Sequence, residues 1–363
     1  MPVALFNPAA PLEPLDAQLR AAVSDVLDRK QYVLGPEVHA FEDEFAAWHG
    51  AKHAVGVANG TEAITIALRA LGVGPGDEVV VPSFTFYASA EAIPPTGATP
   101  VFCDVDPQTY LVTADSVKAA LTPRTKAVVA VHLFGNVAPV DEIAALGVPV
   151  LEDAAQATGS RTTDGRFTGT LGAIGTFSFY PSKNLGAFGD GGAIVTSDDA
   201  LADRVRSLRF HGSRDKVTYE EVGYNSRLDE IQAAILRVQL PHLQAWCSRR
   251  RQAGAWYVEA GLGEHVDLPV PAVGADPAWN LFVVAHDRAD ALRDALNAAG
   301  IGARDYYRQP VHEQQAMRPW PATVPLPGTA QAAARHLAIP MGAHLERRDV
   351  DEVVAAIADA RLD

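Results

Sequence analysis

Short apolar runs alternate with helical segments from Ala54 to about residue 196, and this alternation constrains the fold more than any other feature. The runs predict strands at residues 55–58, 78–81, 100–105, 126–132, 148–152, 175–180 and 193–196. Most are continuously apolar, which is typical of strands that are buried on both faces of a mostly parallel sheet. The pattern therefore predicts an α/β domain built on a mostly parallel, seven-stranded sheet.

The rest of the chain predicts an N-terminal arm and a second, smaller domain. Residues 1–15 carry four prolines and are predicted to form an extended arm. Pro241 follows a helical pattern that ends near residue 238, so we place the domain boundary there. Residues 1–240 are thus expected to form the large domain with its arm, and residues 241–363 a smaller C-terminal α+β domain.

Composition limits the classes of protein that the chain can belong to. Its 363 residues, 48% of them hydrophobic and 20% charged, have the profile of a globular protein with room for two domains. The net charge of −14 disfavours binding to nucleic acid. Two cysteines fit a reduced, cytoplasmic setting, and no histidine or cysteine spacing predicts a metal site. The sequence has no signal-peptide pattern and no apolar run of membrane-spanning length, so we expect a cytoplasmic protein without membrane contact.

Lys183 lies in the most informative local stretch of the chain. An apolar strand pattern from Thr176 runs into a Pro-Ser-Lys turn, and four glycines follow within seven residues. This layout lifts one amine out of a packed sheet and lets backbone approach a ligand closely. A lysine so placed can form a Schiff base with a carbonyl, and pyridoxal 5'-phosphate (PLP) is the carbonyl cofactor most often held in this way. Taken alone, the stretch also fits a surface lysine on a glycine-rich hairpin.

Asp153 follows the apolar run at residues 148–151, at the edge where open α/β sheets bind ligands. PLP needs an anion beside its pyridine nitrogen, because the protonated ring accepts electrons. A helix N-cap is the alternative role for Asp153. Gln156 lies one helical turn after Asp153. From there its side chain either reaches the oxygen substituent of the PLP ring or is solvated at the turn.

A glycine turn between a strand and a helix predicts a phosphate site at Asn59-Gly60-Thr61. The segment that follows has apolar residues at i, i+3, i+4 and i+7, from Ile64 to Leu71, and is therefore an amphipathic helix. The first turn of a helix offers free N–H groups and the positive end of the dipole to an anion. An ordinary helix cap at Thr61 is the alternative.

In this order along the chain, these motifs resemble the DegT/DnrJ/EryC1/StrS family of sugar aminotransferases. The resemblance runs over nearly the whole sequence and is clearest at residues 59–61, 76–86, 152–156, 176–192 and 223–234. It implies the fold of aspartate aminotransferase, which is fold type I of the PLP-dependent transferases. The expected architecture is therefore a large domain with the mostly parallel sheet and a smaller C-terminal α+β domain.

The resemblance also implies roles for individual residues around PLP. Lys183 matches the lysine that carries the cofactor and moves a proton between two carbons, and Asp153 matches the partner of the pyridine nitrogen. The remaining matches place Gln156 beside the ring, Phe86 over one ring face, and Gly60, Thr61 and Ser178 at the phosphate. Asn225 matches an asparagine that reaches the cofactor phosphate of the neighbouring subunit, so the resemblance implies a homodimer with shared sites.

Substrate contacts are expected at Tyr180, Lys216, Tyr306 and Tyr307. The tyrosine pair resembles family aromatics that line the sugar pocket, and Tyr180 lies three residues before the lysine. Lys216 either meets a nucleotide diphosphate as a point charge or is a solvated loop lysine. His132, at the end of a strand, fits a structural histidine as well as a ligand contact.

The resemblance implies transfer of an amino group from an amino acid such as glutamate to a nucleotide-linked keto-deoxysugar, in deoxyaminosugar biosynthesis. A dTDP-linked 3-keto-6-deoxyhexose is the favoured acceptor. The alternatives are a 4-keto sugar or non-nucleotide keto-cyclitol as acceptor, a PLP-dependent sugar dehydratase or epimerase, and a catalytically silent regulatory relative. Family members that perform dehydration carry histidine in place of the lysine, so Lys183 favours amino transfer. Asn280 stands where many relatives have histidine, which leaves the subgroup open.

Overall fold

The structure is a computed structural model that describes residues 2–360 and 362. Its strands are β1 (His53–Val57), β2 (Glu78–Pro82), β3 (Thr99–Cys103), β4 (Thr125–Val131), β5 (Val150–Asp153), β6 (Arg161–Thr162), β7 (Ile174–Ser178), β8 (Gly192–Thr196), β9 (Ala275–Asp276), β10 (Phe282–Ala285) and β11 (His336–Ile339). Its α-helices are α1 (Asp16–Arg29), α2 (Pro36–His49), α3 (Gly60–Ala70), α4 (Ala88–Glu91), α5 (Ala114–Ala120), α6 (Val140–Ala144), α7 (Asp199–Leu208), α8 (Glu230–Gln239), α9 (Leu243–Glu259), α10 (Ala289–Ala298), α11 (Pro327–Arg335) and α12 (Arg347–Asp359). Short 3₁₀ helices occupy Ala10–Leu15, Pro94–Thr96, Leu133–Gly135, Leu240–His242, Leu262–Glu264, Val311–Glu313 and Gln315–Met317.

A seven-stranded sheet forms the centre of the molecule, in the order β1-β8-β7-β5-β4-β2-β3. The strands from β7 to β3 in that order run parallel to one another. Strand β8 is antiparallel to both of its neighbours, β1 and β7. The mostly parallel, seven-stranded sheet that the apolar runs predict is therefore confirmed.

The buried hydrophobic side chains of the described residues form several cores, two of which hold the large sheet and the C-terminal segment. The larger one surrounds the parallel strands and includes Val80, Phe102 and Leu151. The second is built mainly from α9, α10, α12, β10 and β11, and it also contains Val3 from the N-terminal arm. Because β10 contributes Val283 to the first core and Phe282 to the second, the C-terminal segment packs firmly against the large sheet. The domain boundary near residue 240 stays a prediction.

The N-terminal arm differs in part from the expected extended segment. Val3 forms a parallel bridge with Ile301. Ala10–Leu15, however, is a 3₁₀ helix, with a proline at its first turn. Proline favours this position because its fixed φ suits a helix and its missing N–H would have no partner there. The prediction of an extended arm is therefore wrong for Ala10–Leu15. Residue 1, the first residue of the predicted arm, lies outside the described residues.

Helix α3 shows how local sequence positions the functional site. The Asn59 side chain caps the helix by accepting the backbone N–H of Glu62 at 2.9 Å. Ile64 and Leu68 are buried on its apolar face, which packs onto the sheet. The first turn of α3 is thus held at the edge of the sheet. Over the described residues, none of the helices has the length and apolar character needed to cross a membrane.

Candidate active site

A cavity of about 730 Å³ lies at the carboxyl ends of β5 and β7, beside the first turn of α3. Most of the predicted site residues line it: Gly60, Thr61, Phe86, Asp153, Gln156, Ser178, Tyr180, Lys183, Tyr306 and Tyr307. These residues come from distant parts of the sequence, and Tyr306 and Tyr307 come from its C-terminal segment. The fold therefore gathers the predicted cofactor residues and the predicted sugar-pocket tyrosines in one place.

Lys183 lies on the turn that follows β7, and its side chain is half-buried in the cavity wall. Burial lowers its pKa from 10.5 to about 8, and the nearby negative charge of Asp153 opposes this shift. Asn280 fixes the turn from the C-terminal segment, because its amide donates to the Ser182 carbonyl at 3.2 Å and to the Asn184 side chain at 3.3 Å. Near pH 7 a fraction of the Lys183 amine is therefore uncharged. The turn that carries it is held in place by Asn280.

Asp153 is buried at the end of β5, and its two carboxylate oxygens have different partners. The Ser89 hydroxyl donates to Oδ2 at 2.7 Å, and the Ala155 backbone N–H donates to Oδ1 at 3.1 Å. Ser89 in turn shares a 3.0 Å hydrogen bond with Thr85. These donors fix the orientation of the carboxylate in the cavity wall.

Gln156 connects the cavity floor to the C-terminal segment. Its Oε1 accepts the backbone N–H of Phe134 at 2.7 Å, and its Nε2 donates to the Tyr307 hydroxyl at 3.0 Å. The rings of Phe134 and Tyr307 are stacked, with centroids 6.4 Å apart. Burial raises the pKa of the Tyr307 hydroxyl. Gln156 therefore helps to hold an aromatic wall of the cavity.

The first turn of α3 approaches the end of β7 so closely that a side chain at Gly60 has no room. A Cβ built on Gly60 would lie 2.8 Å from the Cβ of Ser178. The glycine thus permits the helix N-terminus, with its free N–H groups, to meet the Ser178 hydroxyl. The result is a cradle of hydrogen-bond donors with the chemistry of a phosphate site.

Aromatic side chains form the rim of the cavity. Phe86 is about half exposed, and its ring centroid lies 5.8 Å from that of Tyr307. Tyr180 is also exposed at the rim. The guanidinium of Arg304 lies 5.2 Å from the centre of the Tyr306 ring. A cationic group is therefore present beside the expected sugar pocket.

Lys216 and Asn225 do not line the cavity of their own chain. Both are exposed, and they lie around the ring of Phe210. The Lys216 Nζ is 4.9 Å from the centre of that ring, and Asn225 forms an antiparallel bridge with Phe210. Arg227 donates to the Asn225 side chain and also lies over the ring. We call these four residues the Phe210 cluster. The expectation that Asn225 serves a neighbouring subunit stays a prediction.

His132 has a structural role. It is fully buried, with Nδ1 accepting the Ala138 backbone N–H at 3.0 Å and Nε2 placed 2.8 Å from Glu152. The Glu152 carboxylate also accepts three backbone N–H groups from the loop before β7. Both ring nitrogens of His132 are therefore occupied inside the protein.

Sequence reasoning did not identify Ser89, Thr85 and Asn184 as site residues, and it noted Asn280 only as a departure from the family pattern. Thr85 and Ser89 are four residues apart, and their hydroxyls meet over the start of α4. That spacing alone does not reveal that they face Asp153, which is 64 residues further along the chain. Within the described residues, no group of three or more His, Cys, Asp or Glu side chains is arranged to hold a metal ion.

The residues around the cavity fit PLP. A lysine with a lowered pKa, a buried carboxylate with fixed donors, and a helix N-terminus opened by a glycine are the three groups that the cofactor's carbonyl, ring nitrogen and phosphate require. Their placement at the carboxyl edge of a mostly parallel sheet defines a PLP-dependent transferase of fold type I.

Comparison with known proteins makes the class more specific. The model of the DegT/DnrJ/EryC1/StrS aminotransferase family matches residues 14–358, and the chain belongs to this family. The chain is thus a PLP-dependent aminotransferase, as the sequence motifs predict.

Individual relatives agree over almost their full lengths. The chain is 47% identical to the dTDP-3-amino-3,4,6-trideoxy-alpha-D-glucose transaminase of Streptomyces venezuelae, over 96% of this chain and 94% of that protein. It is similar to the crystal structure of S. venezuelae DesV in complex with a ketimine intermediate, with a TM-score of 0.95, 45% identity, and coverage of 100% of this chain and 99% of that one. The structure of NtdA from Bacillus subtilis, solved with bound cofactor PMP, superposes with a TM-score of 0.88 at 28% identity, covering 96% of this chain and 82% of that one.

Proposed function

We propose that the chain transfers an amino group from an amino acid such as glutamate to the keto carbon of a nucleotide-linked deoxysugar. A dTDP-linked 3-keto-6-deoxyhexose is the preferred acceptor, and the product belongs to deoxyaminosugar biosynthesis. The amino acid leaves as its 2-oxo acid while the sugar carbonyl becomes an amine, so the two half-reactions balance without an external oxidant or reductant. The observation that carries this substrate class is the 47% identity to a dTDP-sugar transaminase along 96% of the chain.

The groups that line the cavity suggest how the cofactor is held. Lys183 is the amine for its carbonyl, Asp153 the anion for its ring nitrogen, and Gly60, Thr61 and Ser178 the donors for its phosphate. Phe86 covers one ring face, and Gln156 lies beside the ring. When bound, PLP supplies an electron sink that stabilises negative charge on the carbon next to the transferred nitrogen.

Lys183 is proposed as the proton carrier. Its free amine would take a proton from one carbon and return it to another during each half-reaction. A pKa of about 8 suits both tasks, because the amine is then neither permanently charged nor too weak a base near neutral pH. Asn280 keeps the turn in place, so the amine stays within reach of both carbons.

The acceptor is proposed to lie along the aromatic rim, with its sugar against Tyr180, Tyr306 and Tyr307. Its diphosphate needs local cations, because the net charge of −14 repels an anion at long range. The Phe210 cluster offers Lys216 for this purpose across a homodimer interface, where Asn225 would reach the partner's cofactor phosphate. We propose that the working unit is this homodimer, and that it acts in the cytoplasm.

The test is a coupled assay of purified enzyme with glutamate and dTDP-3-keto-6-deoxyhexose, with formation of the aminosugar followed by mass spectrometry. The dTDP-4-keto isomer and a keto-cyclitol serve as competing acceptors. Preference for the 3-keto sugar by at least tenfold in kcat/KM supports the proposal, and turnover of only the cyclitol contradicts it. Lys216→Ala should raise KM for the sugar with little change in the glutamate half-reaction, because glutamate carries no diphosphate.

A further inference from the structure

The described part of the chain contains a second cavity, of about 550 Å³, that also reaches the reactive lysine. It lies between the N-terminal arm, the lysine turn and α9. Phe6, Ser182 and Lys183 line both cavities, so the second cavity adjoins the first one at the amine. None of the roles proposed above accounts for this space.

Arg250, on α9, lines the second cavity with an incompletely satisfied guanidinium. Its Nη1 donates to the Trp279 carbonyl at 3.0 Å. Its Nε is buried and has no hydrogen-bond partner among residues 2–360 and 362. Burial lowers the pKa of this arginine to about 10, with Cys247 opposing the shift. A buried cation with an unused donor is costly unless an anion completes it.

The chemistry of the cavity favours a carboxylate over a diphosphate. A guanidinium binds a carboxylate through two parallel hydrogen bonds. The half-buried imidazole of His344 also lines this cavity, and burial and the nearby charge of Arg250 lower its pKa, so it offers a hydrogen-bonding group rather than a second charge. The opposite wall carries the exposed carboxylates of Glu13 and Asp16, of which Asp16 pairs with Arg20 at 2.8 Å. These acidic groups disfavour a ligand with several negative charges but tolerate one carboxylate held at Arg250.

We propose that Arg250 binds a carboxylate of the amino-acid donor in this second cavity, and so selects the donor in the amination half-reaction. The inference rests on the proposed function. The donor's amine must react where Lys183 reaches the cofactor, and the donor always carries a carboxylate close to that amine. The keto sugar has its negative charge on the diphosphate, for which Lys216 of the Phe210 cluster is the proposed cation. The two substrates would thus use the same reactive centre but different anion sites.

Stopped-flow spectroscopy of the holoenzyme measures the two half-reactions separately. Arg250→Gln should raise the apparent Kd for glutamate about 10- to 100-fold, the range for loss of a hydrogen bond to a charged group. The half-reaction with the keto sugar should change less than twofold. Arg249→Gln is the matched control, because Arg249 neighbours Arg250 on α9 but is exposed, and it should leave both half-reactions unchanged.

A binding measurement tests the site without turnover. Glutarate, a dicarboxylate that has no amine, should bind to the wild-type holoenzyme in calorimetry, and the neutral diamide glutaramide should not. Arg250→Gln should abolish glutarate binding, whereas Arg250→Lys, which keeps the charge but not the planar fork, should weaken it by a smaller factor. If the melting curve shows that Arg250→Gln does not fold, the glutarate affinity of Arg250→Lys is the test, and it should be weaker than that of the wild type.

The outcomes distinguish this inference from the proposed function. An unchanged glutamate Kd in the Arg250 variants, or equal loss in both half-reactions, overturns the carboxylate site while amino transfer stands. Glutarate binding that survives equally in the wild type and in the Arg250 variants overturns it as well. Failure of the wild-type enzyme to accept an amino group from any amino acid contradicts the proposed function, whatever glutarate does.

Discussion

Lys183 should titrate in the apoprotein near pH 8, well below an ordinary lysine, because burial lowers its pKa from 10.5 to about 8. At pH 8 about half of this amine is neutral, whereas an amine with the ordinary value is about 0.3% neutral. The neutral amine is the nucleophile, so its attack on a carbonyl should be roughly two orders of magnitude faster at pH 8 than that of an exposed lysine.

The assay is the rate at which PLP attaches to the apoprotein, measured by stopped-flow absorbance from pH 6 to pH 10. In a control, a second amine-reactive reagent labels the apoprotein at each pH, and peptide mapping quantifies the label on Lys183. Agreement of the two pH profiles shows that ionisation of PLP itself does not set the midpoint. The rate should rise with pH and level off above a midpoint near 8. Asp153→Asn should move the midpoint further down, because the Asp153 charge is the influence that opposes the burial effect. A midpoint near 10.5, or an upward shift in Asp153→Asn, would refute this reasoning.

Two further variants test the geometry of the site. Gly60→Ala should weaken PLP binding at least tenfold in a fluorescence titration, because the added Cβ would lie 2.8 Å from the Cβ of Ser178. Gly74→Ala is the control, since a Cβ at Gly74 meets no atom within 4 Å. Equal PLP affinities of the wild type and both variants would count against the phosphate cradle. Mixing Lys183→Ala chains with Asn225→Ala chains should restore activity, up to about a quarter of wild type if subunits pair at random and each site works independently, because one site of the mixed dimer then carries neither change. With subunit exchange verified by native mass spectrometry, an inactive mixture would place Asn225 in the site of its own chain.

The sequence predicted those parts of the structure that depend on local patterns. Continuous apolar runs gave the central sheet, since strands buried on both faces cannot alternate with polar residues. The strand-to-turn pattern around Lys183 and the strand-end position of Asp153 placed both side chains at the cavity. The glycine turn at residues 59–61 and the apolar spacing after it correctly predicted the helix that brings Gly60 to the same edge, although its cap is Asn59 rather than Thr61.

The parts that were missed depend on contacts between distant residues. The hydrogen bond from Ser89 to Asp153 spans 64 positions, and that from Asn280 to the Ser182 carbonyl spans 98. Strand β11 was not predicted because its four residues form a strand through pairing with β10, which only the folded chain supplies. Arg250 looked like any surface helix arginine, since its surroundings come from the arm and the lysine turn.

The most direct test of the account is covalent capture of the cofactor. Borohydride treatment of the purified, PLP-loaded enzyme should fix the cofactor to a single peptide that contains Lys183, and mass spectrometry of a protease digest locates it. Lys183→Ala should bind PLP without forming this linkage and should lose both half-reactions, because the cavity then lacks the amine that carries the cofactor and the proton. Label on another lysine, or amino transfer that persists in Lys183→Ala, would contradict the central claim.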